Sequence, residues 1–218
     1  VNYHQNKKMA EAVVRAIARS GGQAIAVAAD ISSEDDVVQL FKTTDRELGT
    51  VTALVNNAGI LERQMRLEDI DSARLKRIFS TNIIGYFLCS REAVRRMSTK
   101  RGGAGGAIVN VSSGASRSGS PHEYVDYAAS KGAIDTMTIG LAKEVAAEGI
   151  RVNAVRPALI YTDIHASGGE ADRVERLKEF VPMKRGGKAV EVAQAILWLL
   201  SDEASYSTGI FIDVTGGQ

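Results

Sequence analysis

The sequence predicts an α/β fold in which a doubly wound parallel sheet lies between two layers of helices. Two observations predict it. Short apolar segments alternate with longer amphipathic segments along the whole chain, which is the pattern of parallel strands joined by crossover helices. The 218 residues show no internal repeat, linker or break in composition. This length suits one domain, residues 1–218, with a substantial core.

The first half of the chain contains three predicted strands. Residues 1–3 predict the end of a strand, and residues 7–20 predict an amphipathic helix that stops at Gly21-Gly22. A strand over 24–29 precedes a helix over 33–48, which Ser33 opens with Asp36 three residues later, a capping-box pattern. A strand over 53–55 follows, and then one long helix or two over 71–97.

The second half continues the alternation. Strands are predicted over 107–111, 152–155 and 211–214, and helices over 127–148 and 189–200. The helix over 127–148 is predicted because apolar residues recur in it at helical spacing, namely Ala133, Ile134, Met137, Leu141 and Val145.

Tyr127 and Lys131 are the first candidate functional pair. Their separation of four residues is about one helical turn and places both side chains on one face of the helix. A phenol with a pKa of about 10 is a weak acid–base group at neutral pH, and a nearby cation favours its ionised form. The pair therefore suits proton transfer, although a chance pair on an exposed helix has the same spacing.

Further segments accompany this pair in a definite order. They are Asn56-Asn57-Ala58-Gly59 after one strand, Asn82 in a helix, Ser112-Ser113 after the next strand, and Val152-Asn153-Ala154-Val155-Arg156-Pro157 downstream. Together they resemble the short-chain dehydrogenase/reductase family over nearly the whole chain, and most closely its classical bacterial glucose-dehydrogenase-like and 3-ketoacyl-reductase-like members. The resemblance implies a Rossmann-type, three-layer α/β/α fold and an NAD(P)(H)-dependent oxidoreductase.

The resemblance implies that the enzyme interconverts a carbonyl and a secondary alcohol by hydride transfer. Tyr127 is then the acid in reduction and the base in oxidation, and Lys131 lowers its pKa and holds the nicotinamide ribose. Ser113, which suits the family's loop better than Ser112, donates to the substrate oxygen, where charge develops. Asn82 binds a water that links Lys131 to solvent. The Tyr–Lys spacing matches carbonyl-reducing members and disfavours enoyl reductases, whose spacing is typically longer.

The same resemblance implies cofactor contacts at strand ends. Asp30, next to Ile31, accepts a hydrogen bond from the adenine amino group, unless it is a simple loop carboxylate before the following helix. Small residues let the backbone approach the adenine ribose at Asn57, Ala58 and Gly59, and the Asn side chains of this motif tie strands together.

The segment after the strand over 152–155 resembles the part of the family that holds the nicotinamide. Pro157 begins it, Ile160 offers backbone groups to the carboxamide, and Thr162 offers a hydroxyl to the carboxamide or the pyrophosphate. The family usually has Gly after this Pro, whereas this chain has Ala158. Because Ala does not freely adopt a positive φ, either the backbone there is ordinary or the nicotinamide pocket is altered.

Asn2 and Tyr3 lie where the family selects between cofactors. An acidic residue there binds the ribose 2′-OH of NAD and repels a 2′-phosphate. No carboxylate is present, and His4 and Lys7 favour an anion. The sequence therefore favours NADP and leaves NAD possible; a solvated polar loop is the alternative interpretation.

The Gly-rich turn that opens a dinucleotide fold and receives the pyrophosphate does not occur in the sequence given. Glycines 102–106 precede a strand, and the segment 114–119 leads into a loop with Pro121. In the family the first strand lies at the centre of the sheet, and losing it would leave strand edges unpaired. We therefore expect roughly 30 further N-terminal residues, the first βα unit. The alternative is a truncated relic that does not bind pyrophosphate.

Composition argues against several classes of function. A net charge of +1, from 27 basic and 26 acidic side chains, gives no electrostatic case for nucleic acid or an anionic membrane. No apolar run approaches the length of a membrane span. The single cysteine, Cys89, favours the reducing cytoplasm and a buried side chain. Three scattered His residues show no ligand spacing, so no metal is expected.

The expected partner is a small carbonyl or alcohol, and the resemblance implies a homotetramer. Residues 161–182, with Gly168-Gly169, resemble the family's substrate lid. The expected pocket mouth is polar, which favours a small polar carbonyl or a sugar; its residues are His122, Glu123, Tyr124, Tyr161, His165 and Ser167. A non-catalytic regulatory or scaffolding role on the same fold is the alternative, but it does not need Ser113, Tyr127 and Lys131 together.

Overall fold

The computed structural model describes residues 1–218, in which strands and helices alternate. The strands are β1 (Asn2–Tyr3), β2 (Val27–Ala28), β3 (Ala53–Asn56), β4 (Gly106–Val111), β5 (Ile150–Pro157), β6 (Ile160–Tyr161), β7 (Gly187–Lys188) and β8 (Phe211–Val214). The helices are α1 (Lys7–Arg19), α2 (Glu34–Leu48), α3 (Ser72–Phe79), α4 (Gly85–Met97), α5 (Ala115–Ser118), α6 (Val125–Val145), α7 (Ile164–Ser167), α8 (Arg173–Leu177) and α9 (Ala189–Leu200).

Every strand pairing is parallel. The main sheet has the order β3-β4-β5-β8, while β1 pairs with β2 and β6 with β7. Parallel pairing requires crossover connections, and helices supply these crossovers between the strands of the main sheet. The predicted Rossmann-like α/β fold is therefore confirmed.

Two hydrophobic clusters cover the two faces of the main sheet. Ile108 of β4 and Val152 of β5 belong to a cluster that includes side chains of α2, α4 and α6. Val109, the next residue of β4, packs instead with Val192 and Leu199 of α9. Because successive strand residues point to opposite faces, the helices lie on both sides of the sheet and form the outer layers.

The helix predicted over 71–97 is continuous but not regular. Between α3 and α4 the chain makes one turn of π-helix, Ser80–Ile84, in which the amide of Gly85 donates to the carbonyl of Ser80. Such turns recur at functional sites, and Asn82 lies within this one. The π-helical turn lies beside the cavity described below. It therefore has a physical role there, which helical periodicity in the sequence does not reveal.

Two local predictions differ from the structure. The strand expected over 24–29 is limited to Val27–Ala28. The capping box of α2 is only half formed: Ser33 Oγ accepts from the amide of Asp36, but the Asp36 carboxylate accepts from the amide of Asp30 at 2.9 Å. The side chain of Asp36 therefore ties the end of β2 to α2 instead of capping its own helix.

The remaining expectations about composition concern membranes and Cys89. None of the helices has both the length and the apolarity needed to cross a membrane. Cys89 is buried, and burial raises the pKa of its thiol to about 12. The thiol therefore stays protonated and packs as a small apolar side chain.

Candidate active site

A cavity of about 1020 Å³ opens at the ends of β3, β4 and β5. Parallel sheets bind ligands at this edge. Nine of the sequence-predicted residues line the cavity: Asn57, Ala58, Gly59, Ser113, Tyr127, Lys131, Pro157, Ile160 and Thr162. The others do not line it: Asn2, Tyr3, Asp30, Ile31 and Asn82.

Lys131 lies at the floor of this cavity. Its ammonium donates to the carbonyl of Val111 at 2.8 Å and to Tyr86 Oη at 3.3 Å, and only 3% of the residue is exposed. Burial lowers its pKa to about 8, and the Asp135 carboxylate opposes this shift. The cation is therefore held by a carbonyl and a phenol, without a carboxylate in direct contact.

The half-buried phenol of Tyr127 lies above Lys131. Burial raises its pKa, and the nearby Ser113 side chain opposes the shift. The Lys131 ammonium lies 5.7 Å from the centre of the Tyr127 ring and is turned towards the carbonyl of Val111. The lowering of the Tyr127 pKa by Lys131 stays a prediction.

The two adjacent serines have different surroundings. Ser112 Oγ donates to Asp135 at 2.6 Å and is buried. Ser113 Oγ accepts from the amide of Ala115 at 3.1 Å, faces the cavity and interacts with Tyr127. Of the two hydroxyls, only that of Ser113 is therefore available to a ligand in the cavity.

Asn82 connects the π-turn to the loop after β3. Its amide donates to the carbonyl of Ile60 at 3.0 Å and to Ser130 Oγ at 3.2 Å, and its Oδ1 accepts from the amide of Ile60 at 2.8 Å. A Cβ added at Gly59 would lie 3.4 Å from Asn82 Oδ1 and 3.6 Å from Lys131 Nζ. Both amide hydrogens of Asn82 are already used, so its side chain positions the loop beside Lys131.

A buried ion pair, which the sequence patterns do not predict, fixes the start of α6. The Arg74 guanidinium donates to both carboxylate oxygens of Asp126, at 2.7 and 3.2 Å. Asp126 also accepts from the amide of Tyr127 at 2.9 Å. No local pattern pairs residues 52 apart, whereas their burial in the fold makes the pair a direct support of Tyr127.

Comparison with known proteins identifies this arrangement. A family model described as enoyl-(acyl carrier protein) reductase matches residues 1–218. The uncharacterized oxidoreductase YgfF of Escherichia coli (strain K12) is 62% identical over 218 residues, which cover 100% of this chain and 88% of the relative. The chain belongs to the short-chain dehydrogenase/reductase family. It is therefore an NAD(P)-dependent oxidoreductase that uses a nicotinamide dinucleotide.

Other relatives agree with this assignment. A 3-oxoacyl-(acyl-carrier-protein) reductase of Synechocystis sp. (strain ATCC 27184 / PCC 6803 / Kazusa) is 39% identical, covering 100% of this chain and 85% of its own. Glucose 1-dehydrogenase 2 of Bacillus subtilis (strain 168) is 37% identical, covering 100% and 83%. A crystal structure of a dehydrogenase/reductase from Sinorhizobium meliloti 1021 superimposes with a TM-score of 0.90 at 28% identity, covering 99% of this chain and 82% of that one.

In this short-chain dehydrogenase/reductase the segment after β5 keeps an ordinary backbone. Ala158 is not among the residues with positive φ, so the substitution of Ala for the usual Gly does not strain the chain. Ile160 is buried and its carbonyl is 3.0 Å from His165 Nε2. A carbonyl oxygen has two lone pairs and retains one for a second donor.

The candidate cofactor contacts nearer the amino terminus have their own partners. Asp30 Oδ1 accepts from the amide and the hydroxyl of Ser32, at 2.9 and 2.8 Å, and these bonds lower its pKa although burial opposes them. The Asn2 amide donates to the carbonyl of Ala29 at 3.0 Å, and Ile31 packs into the main core. One oxygen of Asp30 remains for a ligand.

The two residues of the Asn56-Asn57 motif have different roles. The Asn56 amide is buried and donates to Asn110 on β4 at 2.9 Å and to Ser90 on α4 at 3.0 Å. Asn57 is exposed at the cavity and makes no hydrogen bond to another residue. Only Asn56 therefore ties strands together, whereas Asn57 remains available to a ligand, as the exposed Thr162 does.

Four of the six residues expected at the pocket mouth line the cavity: Glu123, Tyr124, His165 and Ser167. His122 does not, and Tyr161 donates its hydroxyl to Glu175 on α8 at 2.7 Å. Arg173, which the sequence does not predict as a site residue, also lines it. Its ion pair with Glu123 links α8 to the loop before α6. No three His, Cys, Asp or Glu side chains are grouped as metal ligands.

Proposed function

We propose that the enzyme interconverts a carbonyl and a secondary alcohol, with Tyr127 as the proton-transfer group. The observation that carries the proposal is the placement of the Tyr127 phenol beside the Ser113 hydroxyl in the cavity. When bound, the nicotinamide exchanges hydride with the substrate carbon. The three residues between Tyr127 and Lys131 support carbonyl reduction over reduction of a carbon–carbon double bond.

Each side chain has a distinct task in this proposal. Ser113 Oγ–H donates to the substrate oxygen, where negative charge develops during reduction. Tyr127 Oη then delivers its proton to the same oxygen and withdraws it in the reverse direction. Lys131 holds the ribose hydroxyls and offsets the charge left on the phenol. For this, its ammonium turns from the carbonyl of Val111 towards the phenol, which then has the lowered pKa that the reaction needs.

The dinucleotide contacts are proposed on the same basis. Pro157, Ile160 and Thr162 support the carboxamide end, where the Ile160 carbonyl has a free lone pair. Asn57, Ala58 and Gly59 line the ribose side, with Asp30 and Ile31 towards the adenine. Asn82 acts through its position in the π-turn, where a main-chain carbonyl can hold the water that serves Lys131.

Asn2 and Tyr3 set the preference for NADP in this proposal. Neither residue is acidic, and His4 Nδ1 lies 3.9 Å from the Asp30 carboxylate. No carboxylate of this strand end therefore repels a 2′-phosphate. We expect kcat/KM to be higher with NADPH than with NADH, and a clear preference for NADH would contradict the proposal.

We also propose that residues 1–218 form one domain, that the enzyme is a homotetramer, and that it acts in the cytoplasm. The family model that spans all 218 residues supports the first point. Exposed apolar side chains on α4 and α6 support the second. A lone buried thiol, which needs no disulfide partner, suits a reducing compartment.

The substitution Tyr127→Phe tests the reaction. It removes only the hydroxyl, so kcat for ketone reduction should fall by roughly 10²–10⁴-fold, the usual contribution of an acid–base group, while the Kd for NADPH changes by less than a few-fold. Tyr206→Phe, at a fully exposed tyrosine, is the matched control. A Tyr127→Phe enzyme that keeps more than about a tenth of the wild-type kcat would contradict the assignment.

A further inference from the structure

Two buried polar atoms in the cavity wall have no hydrogen-bond partner: Tyr124 Oη and His165 Nδ1. Four buried side-chain nitrogen or oxygen atoms lack a partner in the whole chain, and of these residues only these two line the cavity. The Gln64 side chain is close enough to lower the pKa of Tyr124 but makes no hydrogen bond with its hydroxyl. Buried polar groups without partners cost free energy, so a ligand group at both atoms would remove that cost.

The hydrogen bond made by Nε2 of His165 shows which ring nitrogen carries the hydrogen. Nε2 lies 3.0 Å from the carbonyl of Ile160, and because a carbonyl only accepts, Nε2 carries the hydrogen. Burial lowers the pKa of His165, against this hydrogen bond, so the ring is neutral at neutral pH. His165 Nδ1 is therefore an acceptor, and the missing partner is a donor.

Tyr124 complements this acceptor. Burial raises the pKa of its phenol, so the hydroxyl keeps its hydrogen and is able both to donate and to accept. The Arg173 guanidinium lies 5.2 Å from the centre of the Tyr124 ring, and its charge also contributes to the lowered pKa of His165. Arg173 is therefore close to both residues.

The charge of Arg173 is matched by a carboxylate. Arg173 Nη1 and Nη2 donate to the two oxygens of Glu123 at 3.1 and 2.5 Å. An anionic substrate would have to displace the Glu123 carboxylate from this bidentate pair. The free hydrogen-bonding capacity is that of a neutral donor and a neutral acceptor, and a hydroxyl group matches it because it both donates and accepts.

We propose that Tyr124 and His165 form a hydroxyl-recognition subsite for a neutral hydroxylated carbonyl compound, such as a hydroxyketone or a sugar. The substrate hydroxyl donates to His165 Nδ1 and accepts from Tyr124 Oη, while its carbonyl oxygen lies between Ser113 and Tyr127. This proposal rests on the proposed carbonyl reduction, and it adds the class of carbonyl compound that the enzyme reduces.

The test uses the full-length enzyme with NADPH and ketones that differ by one hydroxyl. Butanone is compared by its kcat/KM with its 1-, 3- and 4-hydroxy derivatives, and 2-oxobutanoate serves as the anionic analogue. The best hydroxyketone should exceed butanone by roughly 100-fold, because buried groups that read a hydroxyl reject the analogue without it. Tyr124→Phe and His165→Phe should each reduce this ratio by roughly 10-fold or more, whereas Tyr206→Phe should leave it unchanged.

The possible outcomes separate the subsite from the reaction. If butanone and every hydroxyketone are reduced equally well, the subsite is wrong although the reaction stands. The subsite is also wrong if the two variants lower kcat/KM for all substrates in proportion, because this indicates a structural role. It is likewise wrong if 2-oxobutanoate is the preferred substrate, because this indicates that an anion binds at Arg173. If no ketone is reduced although NADPH binds, the proposed reaction and the subsite both fail.

Discussion

The charged ammonium of Lys131 is disfavoured by its buried surroundings. It is almost fully buried, and its hydrogen bonds go to a neutral carbonyl and a neutral phenol. Desolvation therefore outweighs the charge of Asp135 and lowers its pKa. The ligand-free enzyme thus has a poorly solvated ammonium beside Tyr127. Polar groups of a ligand in the cavity are able to stabilise this ammonium.

This burial predicts a pH dependence of stability. The folded-state pKa of Lys131 is about 8, compared with an ordinary value of 10.5. Between these two values the unfolded chain binds more protons, so this group adds stability as the pH rises. The free energy of unfolding of the wild type, minus that of Lys131→Met, should increase between about pH 8 and 10.5, by at most ~1.4 kcal/mol per pH unit.

Urea unfolding of both proteins at several values between about pH 7 and 10 measures this difference. The comparison with Lys131→Met cancels the contribution of carboxylates and surface groups, which both proteins share. A difference that stays constant over the whole range would mean that the Lys131 pKa is ordinary in the folded protein, and that the ammonium is better solvated than the structure indicates.

Among the elements, the segment over residues 161–182, which the sequence predicts to be a substrate lid, has the clearest link to the proposed function. It contains α7 and α8 and is held by a small cluster of Leu159, Val174 and Val181. It is also attached through the ion pair between Arg173 on α8 and Glu123 before α6, and through the pairing of Tyr161 with Lys188 on β7. So few contacts suggest that the segment opens locally more easily than the sheet does, as a lid must do for substrate exchange.

Hydrogen exchange tests this behaviour. Amides of residues 161–182 should exchange more slowly when NADP⁺ binds, because the cofactor covers the cavity that the lid closes. Glu123→Gln should speed exchange in the free enzyme by roughly 2–5-fold, as expected for loss of a partly exposed ion pair. Glu68→Gln, which removes an exposed ion pair with Arg66 outside the lid, is the control. Equal protection with and without NADP⁺ would show a fixed wall.

For the whole molecule, the exposed apolar surface bears on assembly. Phe87 on α4 and Ile139 on α6 are 51% and 40% exposed, and Ile84 of the π-turn is also exposed. The resemblance to the family implies that these helices pair across a two-fold axis. Apolar side chains on neighbouring helices suit a contact with a second copy, since an isologous interface joins the same patch on both subunits.

Light scattering at micromolar concentration should therefore give the mass of a tetramer. Phe87→Asp introduces a charge into the proposed contact and should shift the mass to a dimer or a monomer. Leu67→Asp, at an exposed residue outside these helices, should leave the mass unchanged. A wild-type monomer would contradict the proposed assembly.

The sequence by itself determined the order and type of the main elements and the candidate residues of the cavity. Local patterns carry this information, because helical spacing predicts α6 and apolar runs predict the strands of the parallel sheet. Parallel strands that end at one edge bring Gly59, Ser113 and Pro157 together, so their positions in the chain were sufficient to place them at one cavity.

Only the tertiary structure decided which atoms of the site are paired. It joined Arg74 to Asp126, Lys131 to Val111 and Arg173 to Glu123. It left two atoms, Tyr124 Oη and His165 Nδ1, without partners. These contacts join residues far apart in the chain or depend on the detailed packing of α6 and α8. Hydrogen bonds require separations of about 3 Å, and local patterns along the chain do not specify distances between separate elements.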